Sequence, residues 1–257
     1  NETVLHSLRV YAFVDGQPAG HFYTKDGLDV NNPSFLMHLT MYSTMTQKVD
    51  FYVVANEAAM ETPGSSVLLT ENTTETQLNH FTFTKLNTSK GLPFCKQTET
   101  IDLTQLSDKT PADPGHAGHT LLRQDLTFEL KRPIGKLGVF AAKPVGENSS
   151  LRVTGLTVLA SGTRTRNYLM PQTDETLKAI TGITGDISLE VVEEEVTKTL
   201  AENASQTDKE NPANYTPVLN ESFYLFENPW GSTSWDVKGD NDGNVLRVDY
   251  EFDGNAR

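Results

Sequence analysis

Cysteine is almost absent from these 257 residues: Cys95 stands alone, so no intrachain disulfide can form. A secreted chain of this size must then depend on its hydrophobic core. Long apolar runs are missing too, and no window approaches the roughly 18 residues that a membrane-crossing helix needs. Positive charge is scarce. Lys and Arg number 21 against 34 Asp and Glu, a formal net charge of −13. That balance argues against a reader of nucleic-acid phosphates and disfavours adsorption to anionic lipid. An initiator Met, a secretion signal and a lipoprotein-type cysteine do not occur. Asn1 reads as a processed or trimmed terminus, so the missing leader says little about export. Neither a long amphipathic helix nor an internal repeat is present.

What remains is a patterned chain. Hydrophobic content of 37% with 21% charged residues fits a folded globular protein rather than a disordered one. Period-two alternation, the mark of strands with one buried face, recurs along it. Residues 8–14 alternate and run into Asp15-Gly16-Gln17-Pro18, a tight-turn composition. His21-Phe22-Tyr23 follows, and Lys25-Asp26-Gly27 reads as a second turn. Residues 35–39 and 49–55 read as further strands. After Asn56, the helix-favouring run Glu57-Ala58-Ala59-Met60 predicts a helical start. Residues 71–78 suit a short helix, and Phe81 and Phe83 a short strand. Leu126, Phe128 and Leu130 alternate cleanly with polar neighbours, and residues 134–142 continue in kind.

A second unit begins after a linker at residues 144–150, so the expected domains are 1–145 and 146–257. Leu151 and Val153 set one parity, and Leu156, Val158 and Ala160 the other, which predicts a β-bulge at Thr154-Gly155. Strands are expected at 187–192, 223–226 and 245–252. In the last, Leu246, Val248, Tyr250 and Phe252 face one way, while Arg247, Asp249 and Glu251 face the other. Asp253-Gly254-Asn255 is a turn with only Ala256 and Arg257 beyond it. A turn without a return strand leaves ladder groups open, so either the chain is truncated or a partner supplies a strand. Many strands and few helices favour an all-β fold with minor α content, built as two β-sandwich domains.

Candidate chemistry is sparse. His116 and His119 form an H-x-x-H pair in a Pro/Gly-rich loop, without the helix or the Glu of a metalloprotease. Asp240 to Asn244 has a calcium-loop composition, with Glu251 at its twelfth position, yet Glu251 sits in an alternating strand. Residues 182–185 lack the flanking strand and helix of a nucleotide loop. Glu193, Glu194 and Glu195 read as a solvated face, and Cys95 has no nucleophile context. Asn72, Asn87 and Asn203 open sequons that matter only in a eukaryotic secretory route. The expectation is no catalytic centre, no cofactor and no metal. Trp230 and Trp235, in a polar loop, suit a carbohydrate platform; an alternative function is a surface carbohydrate-binding module. The opposing reading folds both indoles over a sandwich end.

Four segments in order carry a resemblance: the strand at 8–14, the strand and helical extension at 49–60, residues 129–137, and residues 224–229. With these the chain resembles the fimbrillin-type pilins and adhesins of Bacteroidales surfaces. The resemblance implies two tandem transthyretin-like β-sandwich domains and export as a lipoprotein to the outer membrane and cell surface. It also implies a structural, adhesive role in a fimbrium (pilus), without enzymatic turnover. Implied partners are other fimbrial subunits, joined by strand exchange, and surface glycans or proteins. In polymerising members a protease removes an N-terminal segment, which makes Lys25 a candidate processing site. Two features depart from the pattern: the lipid-acceptor cysteine is missing, and so are the final strand or strands of the second domain.

Overall fold

Strand β1 (Leu8–Val14) is buried along its whole length, so the alternation in its sequence hides a strand covered on both faces. The computed structural model describes residues 3–25, 34–40, 46–64, 69–97, 100–105, 109–111, 120–122, 125–159, 163–179, 185–227 and 246–256. β1 turns into β2 (Gln17–Thr24) through Asp15 at φ 52° and Gly16 at φ 74°. Two successive positive φ values make the type I′ turn that an Asp-Gly pair favours. Gln17 and Pro18, expected in the turn, instead start β2. Pro18 is tolerated there because β2 is an edge strand.

β3 (Lys48–Ala55) pairs with the other side of β1. β4 (Phe94–Gln97) and β5 (Ile101–Asp102) both pair with β3, so the sheet runs β2-β1-β3-β4. On one face Val10, Ala12, Val14, Phe51 and Val53 form the core, with Phe35, Met37, Leu39, Leu126, Phe128 and Leu130 packed on it. The opposite face carries Arg9, Tyr11, Phe13 and Tyr52, all buried. The segment bearing α1 (Glu75–Asn79) closes that face: Tyr11 donates to the Thr70 carbonyl at 2.8 Å, and Tyr52 to Glu75 Oε1 at 2.9 Å. α1 begins with a reciprocal cap between Thr74 and Gln77 that satisfies two otherwise orphaned amides.

Three expectations need correction here. Residues 34–40 alternate in burial, as do 125–130, but neither segment is a strand. The inward residues of both pack on the core, while their backbones contribute only single links: Thr40 N–H to the Ala19 carbonyl at 2.7 Å, and an isolated bridge between Cys95 and Lys131. Alternation reports two unlike surroundings and says nothing about a ladder. The helical extension after Asn56 is one 3-10 turn, Glu57–Ala59, before Met60 resumes an extended path.

Contacts divide the chain into two compact units: Asn1–Pro133 with Asn167–Gln172, and Ile134–Arg166 with Thr173–Arg257. The excursion at 167–172 completes the first unit. Asn167–Tyr168 pairs with Thr82–Phe83, and Leu169 and Met170 are buried.

In the second unit β6 (Ile134–Leu137) pairs with Phe223–Phe226, near a main sheet containing β7 (Leu151–Val158) and β8 (Ile187–Leu189). With β9 (Phe223–Phe226), β10 (Leu246–Phe252) and β11 (Asn255–Ala256) named, the order of that sheet is β8-β7-β10-β11. The register of β7 on β10 slips between Val153 and Gly155, leaving Thr154 as the extra residue predicted from the parity change. β8 stops at Leu189, three residues short of expectation. Val191 then makes an isolated bridge to Leu219. The described helices are short, and the chain is mostly β.

Candidate functional site

The most distinctive exposed feature of the second unit is the outer side of β10. Its inner side pairs with β7 from Leu246 to Phe252. On its outer side Asn255 and Ala256 of β11 pair with Phe252 and Glu251. Among the described residues no strand pairs with the outer edge of Leu246 to Tyr250. The hairpin between them turns at Asp253 (φ 48°) and Gly254 (φ 76°). Asp253 is tied back to the sheet, its Oδ1 accepting from the Ser150 amide at 2.8 Å and its own amide donating to the Ser150 carbonyl at 3.0 Å. The turn is therefore braced against the start of β7, and the open edge is a fixed one.

The apolar face of β10 is only partly covered. Val248, Tyr250 and Phe252 are 42%, 38% and 38% exposed, although Leu156 and Val153 on β7, opposite the first two, are buried. The apolar surface of this sheet is covered over β7, and its cover runs out over β10. Arg247 and Asp249, on the other face, pair across 3.5 Å, and Arg247 Nη2 also reaches Thr157 Oγ1 at 3.3 Å. Among the described residues, the result is an edge without a strand partner beside an apolar stripe. Such an edge can add a strand, with main-chain bonds supplying attachment and the stripe supplying selectivity.

The other candidates do not gather into a site. Trp230, Trp235, His116, His119 and the loop at 240–244 lie outside the described residues. Glu251 lies in β10 opposite Arg152. Cys95 is buried in β4 with both main-chain groups bonded to Lys131. Glu193 and Glu194 line an open cleft of about 650 Å³ with Glu190, Thr154 and Asn220. Glu195 instead accepts from Lys143 at 3.3 Å. Among the described residues no group of His, Cys, Asp and Glu could hold a metal ion. Lys25 is exposed at the bend ending β2.

Sequence reasoning passed over Asn56, which is fully buried at a left-handed φ of 56°. Its Oδ1 accepts from the His6 amide at 2.7 Å, and its Nδ2 donates to the carbonyls of Val4 and Leu92, each at 2.8 Å. The available signal was an amide residue at the point where the strand pattern breaks.

Neither a protein-family model nor a curated protein matches the chain. Solved structures do. A candidate cell adhesion protein from Parabacteroides distasonis ATCC 8503 aligns at 13% identity and a TM-score of 0.46, covering 99% of this chain and 76% of the other. A fimbrial assembly protein from the same organism aligns at 12% identity and a TM-score of 0.40, over 100% of this chain and 91% of the other. The tip fimbrial protein Mfa3 from Porphyromonas gingivalis, with a C-terminal truncation, aligns at 14% identity and a TM-score of 0.52, over 100% of this chain and 74% of the other. Over its whole length, then, this chain has the β-sandwich fold of a fimbrial tip protein.

Proposed function

We propose that this protein is a fimbrial subunit or fimbrillin-like adhesin of a bacterial surface, a structural and interaction protein that turns over no substrate. The fold shared with a fimbrial tip protein along the entire chain carries this reading. The two contact-defined units are its two sandwich domains, and its partners are other fimbrial subunits.

Assembly proceeds by strand addition at the open side of β10. A strand entering antiparallel on the line of β11 would pair with Tyr250, Asp249, Val248, Arg247 and Leu246 in turn. It would set apolar side chains beside Tyr250 and Val248 and polar ones beside Asp249 and Arg247, the alternation a pleated strand imposes. Sandwich subunits joined this way resist dissociation, because each joint is a continuous ladder.

The test is self-association before and after limited trimming with a trypsin-like protease. It is followed by light scattering and by gel electrophoresis of unheated samples. A ladder of multimers that Tyr250→Lys removes is the expected result. A protein that stays monomeric under every condition, or multimers indifferent to Tyr250→Lys, would overturn strand addition at β10.

A further inference from the structure

On the α1-facing side of the first sheet, where a doubly covered strand should carry only apolar residues, sits a guanidinium. Arg9 in β1 is 6% exposed. Its Nε donates to Glu57 Oε2 at 2.6 Å and its Nη2 to Glu57 Oε1 at 2.8 Å, a two-pronged ion pair. The guanidinium carbon lies 3.9 Å from the ring centre of Tyr23. The remaining nitrogen, Nη1, is 2.8 Å from His21 Nε2.

That last contact fixes a protonation state. Arginine only donates, so His21 Nε2 must accept. The ring proton is then on Nδ1 and the imidazole is neutral. His21 and Tyr23 belong to the edge strand β2, Arg9 to the interior strand β1, and Glu57 to the turn after β3. One guanidinium thus ties the edge strand to the interior through a bond that only neutral histidine can make. A second proton on the ring would turn the acceptor into a donor and set two cations 2.8 Å apart.

The groups around His21 come from four segments. β1 presents Arg9 and Tyr11, whose ring centre is 5.1 Å from that of His21; β2 presents Tyr23; the turn after β3 presents Glu57; and the loop before α1 presents Glu71. Burial and Arg9 push the imidazole below its ordinary 6.5, outweighing the opposing pull of Glu71 and Glu57.

We propose that His21 is an acid-sensitive latch on β2: when its ring takes a second proton the Arg9 contact breaks, β2 frays, and the main-chain edge of β1 is uncovered. The sign follows from linkage. A histidine held neutral in the fold contributes stability above the unfolded value near 6.5, and loses it as pH falls through its folded value. This latch lies in the first unit and is independent of strand addition at β10.

Hydrogen exchange of the full chain at pH 7.5 and 5.5, corrected for the intrinsic chemical rate, reads it directly. Protection of β1 and β2 amides should fall on acidification, by up to about tenfold for each pKa unit between folded and free imidazole. Amides of β7 and β10 serve as the internal reference. His21→Gln supplies an acceptor that does not titrate, and should abolish the response. An unchanged wild type, or an equal acid response in H21Q, overturns the latch. Nitrogen-15 shifts of wild-type His21 at pH 7.5 give a second readout that needs no variant. An Nδ1–H tautomer is expected, and an Nε2–H tautomer or an imidazolium would overturn the proposal.

Discussion

Two side chains carry an outsized share of the first unit's order. Asn56 is saturated by main-chain partners: two amides and two carbonyls converge on one buried amide group. Replacing it leaves those groups without partners, at about 1–3 kcal/mol for each that water cannot reach, and alanine also resists the left-handed φ. We expect Asn56→Ala to cost about 3 kcal/mol or more in chemical denaturation. Asn56→Gly should cost less, because glycine removes the backbone strain while losing the same bonds. Equal losses would show that strain plays no part. Tyr52 is the second. Its hydroxyl joins Glu75, Asn79 and Gln97, and burial, aided by Glu75, pushes its pKa up to about 12. An unfolded phenol ionises near 10, so above that pH the unfolded state sheds a proton that the folded state keeps. Stability should therefore fall between about pH 10 and 12. Tyr52→Phe should lower stability at pH 7 by about 1–2 kcal/mol and flatten that alkaline decline. Tyr11, raised in the same direction, should leave a residual slope.

At the scale of elements, what the sequence makes legible is pairing that depends on local pattern. β1 and β3 were readable from alternation, β9 from a short apolar run, and the bulge in β7 from a change of parity at Thr154. The segments at 34–40 and 125–130 show where that reading fails. Their inward residues feel the same core as a strand would, so selection on side chains is identical, while the ladder depends on what lies beside the backbone. β10 was legible as a strand with two unlike faces, but the exposure of Val248, Tyr250 and Phe252 depends on how far the cover extends, which a local pattern does not record. In the sequence the candidate edge shows only as a patterned strand followed by the turn Asp253-Gly254-Asn255. The buried Arg9 could have been found by asking what partner a charge amid Leu8–Val14 must have. Close approach of the 34–40 segment to β2 gives an element-level prediction. A Cβ on Gly20 would lie 2.9 Å from the His38 carbonyl oxygen and 2.8 Å from Leu39 Cδ2. Because one obstacle is backbone, the side chain cannot simply turn away. Gly20→Ala should cost about 1–3 kcal/mol, with the loss of protection centred on β2. A neutral effect would mean that 34–40 gives way freely.

For the molecule as a whole, the division into units is not a division of the chain at one point. Residues 167–172 belong with the first unit: Asn167, Leu169 and Met170 are buried, the Leu169 amide donates to the Phe81 carbonyl at 3.0 Å, and Gln172 Nε2 donates to the Asn79 carbonyl at 2.8 Å. A fragment of residues 1–133 should therefore melt below the intact first unit and show weakened near-ultraviolet dichroism. Joining 167–172 to it through a flexible linker should restore both. Equal melting of the two fragments would mean that the excursion is ornamental. No contiguous pattern predicts this threading, since Asn167, Tyr168, Leu169 and Gln172 pair with Phe83, Thr82, Phe81 and Asn79, far earlier in the chain.

The same threading constrains birth as well as stability. A ribosome releases the chain from its first residue onward, and ordinary tandem domains mature one after another as each clears the exit tunnel. Here the earlier unit stays one piece short until residue 172 emerges, by which time the whole of 134–166, which belongs to its neighbour, is already outside. The first unit must wait for that stretch to pass, and any factor that guards the nascent polypeptide has to guard its unfinished core together with the exposed 134–166.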